Sequence, residues 1–384
     1  MIIAIDGLEA NTQKKVGIGV YAFQIISHIY KFLIQNSEFR IQNKLLFRIY
    51  LPNKPIGDMP HETDWWQYRV INPRRLWTFI ALPLALKSDI PKADIIFSPT
   101  HYIPRFTKIM KVASIMDTSY LKYPQMFKVR DLQQLKRGTR YSVSHTDCIF
   151  TISNASKNDI INAYQKDSQQ IVVTYPGITM KKANKNISKT KILEKYKISK
   201  NYIFSVGTLQ PRKNYIRLIV AFGIFLKENR QKFSNVQLVI AGKKGWLYED
   251  ILREPGKRGL AKSVKFLDYV DDADLPILYQ NALCFALPSL YEGFGLPVAE
   301  AMSFGCPVVV SNVSSLPEVA GNAAVYVNPE SAKDIAKGLL ASVRQRNLMQ
   351  GKLRVKKGKD HIKQFTWENA AADTLENLVK LAEK

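Results

Sequence analysis

Short runs of β-branched residues alternate with longer segments of helical period along almost the whole chain, and this alternation constrains the fold more than any other feature. Strands are predicted at residues 2–5, 47–51, 95–98, 112–116 and 148–152, and again at 203–206, 236–241, 264–266, 284–287 and 307–311. Helical periodicity is clearest at 19–32, 153–164, 216–228 and 275–281. Alternation of this kind builds parallel sheets through right-handed crossovers. We therefore expect an α/β protein with two Rossmann-like, doubly wound parallel-sheet domains.

The chain length supports two domains, because 384 residues exceed one ordinary core and suit two domains of roughly 150–200 residues each. Patterning is weakest in the lysine-rich segment that follows Tyr175-Pro-Gly177. We place the boundary there, with a first domain at 1–178 and a second at 179–365. Ligands of such sheets gather at the carboxyl ends of the strands, so two domains facing each other across a cleft are expected to bind there.

Composition points to a soluble, cytoplasmic protein. Cys148, Cys284 and Cys306 are far apart and show neither metal-ligand spacing nor a disulfide framework, which favours a reducing compartment. Residues 1–6 resemble a first strand and lack the basic and apolar regions of a signal peptide. The longest apolar run, 76–86, is too short to span a bilayer.

The formal net charge of +24 favours anionic partners such as a phosphorylated small molecule, an anionic membrane or nucleic acid, although an adaptation for solubility also explains it. Part of the excess is local. Between Lys181 and Lys200 lie eight lysines and one acidic residue, Glu194. The remaining basic residues form no recognition motif with an aromatic stacking platform, so no nucleic acid is expected.

A second basic cluster, Arg69, Arg74 and Arg75, leads directly into the apolar run Leu-Trp-Thr-Phe-Ile-Ala-Leu-Pro-Leu-Ala-Leu. Two interpretations fit this arrangement. Basic residues beside an amphipathic aromatic segment are typical of an element that lies on anionic lipid, at the inner face of a membrane. A core helix with a solvated basic start has the same sequence.

The stretch Pro-Ser-Leu-Tyr-Glu-Gly-Phe-Gly-Leu-Pro-Val-Ala-Glu-Ala-Met holds two carboxylates, Glu292 and Glu300. A strand is expected to end before it, and Pro297 suits the first turn of the following helix. Glu292 then lies in a glycine loop and Glu300 in the first helical turn, on either side of the positive end of the helix dipole, where anions bind. A polyhydroxylated molecule that carries phosphates would satisfy both the carboxylates and the amides.

Three shorter motifs are weaker. Arg212 and Lys213, in Gln-Pro-Arg-Lys-Asn, fall at a strand-to-helix turn suited to a diphosphate. Gly17-Ile-Gly19 opens a helix but lacks the third glycine of a dinucleotide fingerprint, because Ala22 stands there.

Asp272-Ala-Asp274 matches a metal-binding pattern, but its place before a helix favours capping. No metal is expected. The spacing of the histidines suits no helical metal site, and only His101 follows a strand where a cleft residue would lie.

Together these residues resemble the family-4 retaining glycosyltransferases of the GT-B fold, over nearly the whole chain and most strongly from 204 to 329. The family's Glu-x7-Glu signature is present as Glu292 and Glu300. The resemblance implies a hexosyltransferase that uses a nucleotide-sugar such as GDP-mannose or UDP-glucose, needs no metal, and acts on a glycan or lipid-linked acceptor in cell-surface polysaccharide synthesis. It also implies that the final helix, 366–384, packs back onto the first domain.

The resemblance assigns roles on the donor side. It implies that Glu292 holds hydroxyls of the donor sugar and that Glu300 binds the ribose. The backbone would assist at three further positions of the sugar site: Gly293, Phe294 and Gly295. The diphosphate would be met by Arg212, Lys213, Gly17, Gly19 and Leu296. The segment around Tyr269 and Val270 would meet the nucleobase through its backbone.

The acceptor side departs from the family. Relatives often carry His-Asp after the fourth strand of the first domain, whereas this chain has Met116 and then Asp117. We therefore expect Asp117, with His101 nearby, to position the acceptor or to take its proton, with Glu292 acting on the donor sugar. A sugar-nucleotide epimerase of similar fold remains an alternative, as does a basic protein that binds nucleic acid or another anionic surface. A phosphorylase would need a cofactor lysine or a phosphate site that the sequence does not reveal.

Overall fold

The computed structural model describes residues 1–15, 17–179 and 188–383. It divides into two compact units, one formed by residues 1–121, 129–177 and 365–384 and the other by 122–128 and 178–364. The lysine-rich segment at the junction is described from Ser188 onward, so Lys181, Lys182 and Lys185 lie outside the described residues.

The first unit contains a parallel sheet of seven strands in the order β3-β2-β1-β4-β5-β6-β7. The strands are β1 Ile2–Asp6, β2 Leu46–Leu51, β3 Trp66–Val70, β4 Ile95–Ser98, β5 Met110–Ser114, β6 Cys148–Thr151 and β7 Ile171–Val173. Its helices are α1 Ile18–Gln35, α2 Ser37–Gln42, α3 Leu82–Ser88, α4 Ser119–Lys122, α5 Val129–His145 and α6 Asn154–Tyr164, with a π-helix at Trp77–Ala81 before α3. Central strands such as β1 and β4 are apolar and buried on both faces, as expected when helices cover both sides of a parallel sheet.

The second unit contains a parallel sheet of six strands in the order β10-β9-β8-β11-β12-β13. The strands are β8 Tyr202–Val206, β9 Gln237–Ala241, β10 Val264–Leu267, β11 Cys284–Leu287, β12 Val308–Ser311 and β13 Ala324–Val327. Its helices are α7 Lys189–Tyr196, α8 Tyr215–Glu228, α9 Arg230–Phe233, α10 Glu249–Lys257, α11 Leu275–Asn281, α12 Leu296–Ser303, α13 Leu316–Ala320, α14 Ala332–Gln345 and α15 Met349–His361. The two parallel sheets confirm the predicted fold class.

The last helix, α16 Trp367–Ala382, belongs to the first unit, where it packs against α1 and contributes Trp367, Leu375 and Leu378 to the core. Gly177 shows how closely the chain approaches this helix, because a Cβ atom there would lie 2.1 Å from the backbone nitrogen of Trp367. A larger residue at 177 would therefore displace the start of α16.

Two sequence predictions differ from the structure. Residues 122–128, assigned by sequence to the first domain, pack with the second unit, where the Tyr123 hydroxyl donates to the carbonyl of Leu290 (3.3 Å) and the Trp246 indole N–H donates to the carbonyl of Met126. The strand predicted at 112–116 runs instead from Met110 to Ser114, which places Met116 in a loop.

In the described part of the chain, no helix is both long and apolar enough to cross a membrane.

Candidate active site

The loop between β11 and α12 positions Glu292. It follows the carboxyl end of an interior strand of the second sheet and ends at Gly295, whose φ of +104° is a left-handed conformation that favours glycine. A Cβ atom at this position would lie 2.7 Å from Cδ2 of Leu316. Gly295 is thus needed both for the backbone turn and for the close approach of α13.

The carboxylate of Glu292 is buried, with 5% of the residue exposed, and it accepts hydrogen bonds from three side chains. Lys213 Nζ lies 2.7 Å from Oε1, and Arg212 Nη1 lies 3.1 Å from Oε2. The hydroxyl of Ser289 also donates to Oε1, at 2.6 Å. We call Glu292, Arg212 and Lys213 the Glu292 cluster. The structure thus joins two motifs that the sequence analysis treated separately.

The charges of the Glu292 cluster determine the ionisation of its carboxyl group. Burial by itself raises the pKa of Glu292, but the Lys213 ammonium and the Arg212 guanidinium outweigh it and hold the pKa below its ordinary value. The carboxylate is therefore ionised at neutral pH. With two cations and one anion, the three side chains together carry a positive charge, which suits an anionic ligand.

Backbone contacts hold the two halves of the cluster together. Arg212 and Lys213 lie in a 3-10 turn, Pro211–Lys213, between β8 and α8. The N–H of Leu290 donates to the carbonyl of Arg212 (2.9 Å), and Arg212 Nη1 donates to the carbonyl of Tyr291 (2.7 Å). The predicted strand-to-helix turn is thus fixed directly against the glutamate loop.

Asn214 reinforces the same junction. Its φ of +62° places it in the left-handed region at the start of α8, and its side-chain amide donates to the carbonyls of Pro288 and Pro329, each at 2.8 Å. No sequence motif points to Asn214; its one local indication is that asparagine tolerates the left-handed conformation.

Two serines of the turn after β12 were also missed. Ser314 Oγ accepts the backbone N–H of Glu292 at 3.0 Å, and Ser315 Oγ lies 2.9 Å from the carbonyl of Glu292 and 2.8 Å from that of Phe294. Gly293 and Phe294, between these contacts, are buried. The serines hold the backbone of the glycine loop. Their role is not visible in the sequence, because it depends on two strand-end loops lying side by side in the fold.

Glu300 lies in the fifth position of α12, which begins at Leu296. This is the second turn and not the predicted first turn, because the helix starts one residue earlier than Pro297. Its Oε2 accepts the hydroxyl of Tyr279 at 3.1 Å. Burial and the neighbouring Glu300 charge both raise the pKa of Tyr279, so this phenol stays protonated and donates to the carboxylate.

Tyr269 and Val270 follow β10, at the same edge of the second sheet as the other strand-end loops. Val270 is buried, whereas the ring of Tyr269 is exposed and has Lys243 Nζ 5.0 Å from its centroid. A planar exposed ring beside a cation suits a nucleobase, although no described contact joins it to the Glu292 cluster.

Gly17 and Gly19 belong to the first unit. Gly17 has a φ of +50° and directly precedes α1, while a Cβ at Gly19 would lie 3.0 Å from the carbonyl oxygen of Glu9. The motif thus opens a helix as the sequence predicts, with Gly17 preceding α1 and Gly19 in its first turn. Their predicted contact with phosphate remains a prediction.

His101 and Asp117 flank Met116 in the first unit, as the sequence suggests. His101 Nε2 accepts the backbone N–H of Met116 at 3.1 Å, and the Ser156 hydroxyl donates to the Met116 carbonyl at 2.9 Å. Asp117 Oδ1 accepts from both the backbone N–H and the hydroxyl of Ser119, at 2.9 and 2.6 Å. These side chains hold the backbone of residues 115–118, which we call the Met116 loop.

The ionisation of His101 follows from its surroundings. Burial lowers its pKa, and the nearby Asp117 charge opposes this shift only in part. The ring is therefore neutral at pH 7. Because Nε2 accepts a hydrogen bond, the proton resides on Nδ1, a buried atom for which the described part of the chain provides no hydrogen-bond acceptor.

Asp274 does not cap the following helix, contrary to the interpretation of its motif from the sequence. Its side chain makes no capping hydrogen bond to α11; Oδ2 instead binds Lys195 Nζ at 2.6 Å and the Tyr196 hydroxyl at 2.7 Å. The carboxylate thus links α7 to α11. Within residues 1–15, 17–179 and 188–383, no group of three or more metal-ligating side chains is found.

Comparison with known proteins identifies relatives of the chain. A family model described as "Glycosyl transferases group 1" matches residues 188–359. The O-antigen chain mannosyltransferase B of Escherichia coli is 32% identical over 318 residues, which cover 82% of this chain and 79% of that protein. Residues 188–359, which the family model matches, include the whole Glu292 cluster and Glu300.

Two solved structures resemble the chain over nearly its full length. Sucrose-phosphate synthase from Thermosynechococcus elongatus superposes with a TM-score of 0.72 at 16% identity, covering 99% of this chain and 98% of that one. HepE of Anabaena, in complex with UDP and glucose, superposes with a TM-score of 0.71 at 18% identity, covering 99% and 100%. At such identities the likeness concerns the fold alone.

Proposed function

The chain belongs to the group 1 glycosyltransferases, and from this premise we propose that it transfers a mannose- or glucose-type hexose from a nucleotide-sugar to a glycan or lipid-linked acceptor, with retention of configuration as in family 4. Its two parallel-sheet domains have the GT-B fold. The E. coli relative is an O-antigen mannosyltransferase, which favours mannose and a role in cell-surface polysaccharide synthesis.

The Glu292 cluster is the observation that carries this proposal. Transfer of a glycosyl group releases a nucleoside diphosphate, so negative charge grows on the phosphates as the bond to the sugar breaks. Lys213 and Arg212 are already oriented by Glu292 at the end of β8, and preorganised cations of this kind stabilise a leaving group without reorganising. The backbone of Leu296, at the start of α12, would add its helix dipole. Backbone contact of Gly17 and Gly19 with phosphate is part of the same proposal.

Glu292 has two tasks in this scheme. A carboxylate offers about four acceptor positions, and three are occupied by Lys213, Arg212 and Ser289. The remaining capacity would accept a hydroxyl of the donor sugar, beside the backbone of Gly293, Phe294 and Gly295. Glu300 would accept the ribose hydroxyls, and Tyr269 with Val270 would lie against the base.

On the acceptor side we propose positioning rather than proton abstraction by the protein. In a front-face substitution the departing diphosphate takes the proton of the acceptor hydroxyl, so catalysis depends mainly on alignment and on charge stabilisation. Asp117 and His101 would then align the acceptor through the Met116 loop. No resident metal is required by this scheme.

The proposal is tested with the purified chain and a panel of GDP-, UDP- and ADP-sugars. The true donor raises the unfolding temperature, because a ligand that binds the folded state stabilises it. Hexose transfer is then followed with that donor and a lipid-linked or oligosaccharide acceptor. Conversion of the donor to its epimer in the absence of acceptor would instead identify an epimerase, and no consumption of any donor would contradict the proposal.

A further inference from the structure

The segment from Leu76 to Ser88 in the first unit is apolar on two opposite sides. One side is core: Trp77, Ala81, Leu82 and Leu86 are buried against β1, β2 and β4. The other side is exposed to solvent. It consists of Leu76, Phe79, Ile80 and Leu84, which are 55%, 43%, 40% and 60% exposed. We call these four side chains the outer face.

The four side chains of the outer face form an apolar stripe along three successive pieces of backbone: Leu76 precedes the π-helix in a left-handed conformation, Phe79 and Ile80 lie within the π-helix, and Leu84 lies in α3. A helix at a protein surface normally presents polar residues there. The neighbouring loop extends the stripe: the backbone N–H of Arg105 donates to the carbonyl of Thr78 at 2.8 Å, and the next residue, Phe106, is 84% exposed. Soluble proteins rarely expose contiguous apolar patches without a binding function.

The charges around the outer face have one sign. Arg74 and Arg75 directly precede it, Lys87 lies at the end of α3, and all three are exposed. Between residues 69 and 92 the only acidic side chain is Asp89, which lies 3.6 Å from Arg48 and 3.7 Å from Arg69. In the described ranges, no carboxylate forms an ion pair with Arg74, Arg75 or Lys87. The apolar stripe is therefore bordered by basic groups that are available to anions.

A basic cavity opens beside the stripe. It has a volume of about 270 Å³ and is lined by Phe79, Tyr102, Arg105, Arg137 and Tyr141, among others. The Arg105 guanidinium lies 4.2 Å from the ring centroid of Phe79 and 3.9 Å from that of Tyr141. Two arginines in an aromatic pocket next to exposed apolar side chains suit a phosphate headgroup whose acyl chains cover the stripe.

We propose that the outer face is a membrane-docking surface for anionic lipid bilayers. Leu76, Phe79, Ile80 and Leu84 enter the boundary between headgroups and acyl chains, and Arg74, Arg75 and Lys87 contact the lipid phosphates. Charge complementarity selects this partner over an electroneutral surface, because apolar insertion and electrostatic attraction add to each other for interfacial elements. The inference goes beyond sugar transfer and does not depend on the identity of the donor.

The test uses flotation of the whole chain with vesicles of phosphatidylcholine alone or mixed with phosphatidylglycerol. Ile80→Glu/Leu84→Glu places two charges in the outer face. Leu348→Glu/Met349→Glu is the matched control, because it makes the same change of charge at residues of the other unit that are 57% and 81% exposed. Thermal unfolding of both variants verifies that they are folded.

We expect the wild type to bind the anionic vesicles and to bind pure phosphatidylcholine much more weakly. The outer-face variant should lose at least about tenfold in partitioning, because it removes apolar insertion and adds negative charge next to the lipid phosphates, while the control keeps most of it. Equal losses in both variants would overturn the proposal, as would failure of the wild type to bind. So would light scattering that shows a wild-type dimer converted to a monomer by the outer-face variant, since the face would then join two copies of the chain.

Discussion

The loop that holds Glu292 and the Met116 loop follow interior strands of two similar parallel sheets, yet they use their polar groups in opposite ways. In the second unit, a buried carboxylate joins two cations into a charged cluster. In the first, His101 and Ser156 bind the backbone of Met116, and Asp117 binds Ser119. One loop concentrates charge, whereas the other fixes the course of the backbone.

Under the proposed front-face mechanism, this difference indicates that the second unit provides most of the transition-state stabilisation. If the departing diphosphate takes the acceptor's proton, the enzyme needs strong electrostatics on the donor side and mainly shape on the acceptor side. A methionine at 116 is then compatible with transfer, since the loop contributes its backbone and His101 supports it. Substitutions in the Glu292 cluster should therefore reduce turnover more than substitutions around the Met116 loop.

Lys213→Ala removes the cation closest to Glu292. We expect turnover to fall by at least about 10²-fold, the scale of losing one preorganised electrostatic stabiliser. Initial rates at saturating donor measure this loss, and Lys227→Ala, an exposed lysine at the end of α8, serves as the control. Near-wild-type turnover in Lys213→Ala would remove the diphosphate role from this lysine.

Glu292→Gln keeps the shape of the side chain but leaves Lys213 and Arg212 without their buried counter-charge. The free energy of unfolding should decrease by about 2 kcal/mol, because a buried charge-assisted hydrogen bond is lost, and sugar transfer should be abolished. Nucleoside diphosphate affinity should be kept or increased, because the cations are released for phosphate. Chemical denaturation and calorimetry measure the two effects, and a parallel loss of nucleotide affinity would argue against a sugar-facing Glu292.

The ion pairs of Glu292 also predict that the free energy of unfolding decreases at acid pH. The pKa of Glu292 is lowered in the folded state, so its stabilising contribution is present above the ordinary pKa of 4.5 and is lost as the pH falls below that value. Denaturation curves between pH 6 and pH 3.5 should show this loss in the wild type and not in Glu292→Gln. An identical acid profile for the two proteins would contradict it.

Asp117→Asn retains an oxygen that can accept from Ser119. We therefore expect turnover to fall less than about tenfold, whereas loss of a general base costs about 10²–10⁴-fold. The pH dependence of turnover separates the cases, because a base would also impose an acidic limb that disappears in the variant. A drop of three orders of magnitude would place proton transfer on the acceptor side.

His101→Gln should produce the smallest change in turnover, together with a distinct pH effect on stability. Burial lowers the folded pKa of His101 from 6.5, so the unfolded chain takes up a proton first as the pH falls below 6.5, and the wild type loses stability there. The variant should show a shallower loss of unfolding free energy in this range. An unchanged slope would mean that His101 is not held neutral by the fold.

Local sequence patterns predicted the interior of both sheets, because buried parallel strands are continuous apolar runs. They missed three strands, Trp66–Val70, Ile171–Val173 and Ala324–Val327. All three lie at sheet edges. In Trp66–Val70 the half-exposed Gln67 and Arg69 break the apolar run, whereas the other two strands are apolar runs of only three and four residues. The end of β5 was also misplaced, because Ile115 and Met116 continue the apolar pattern beyond the last paired residue, Ser114.

The contacts of the candidate site could not be predicted from local sequence patterns either. The glutamate motif and the turn at Arg212 could each be recognised locally, but their ion pairs join residues that are 79 and 80 positions apart in the chain. Ser314 reaches Glu292 from a third loop. Periodicity carries no information on such contacts, which arise only when the carboxyl ends of neighbouring strands come together.

We propose that the Glu292 cluster of the second unit holds the diphosphate of the donor. Calorimetry of the wild type and Lys213→Ala with a nucleoside diphosphate and the matching monophosphate measures this role. We predict that the wild type prefers the diphosphate and that Lys213→Ala loses most of this preference while binding the monophosphate almost normally. An equal preference for the diphosphate in both proteins would contradict the account.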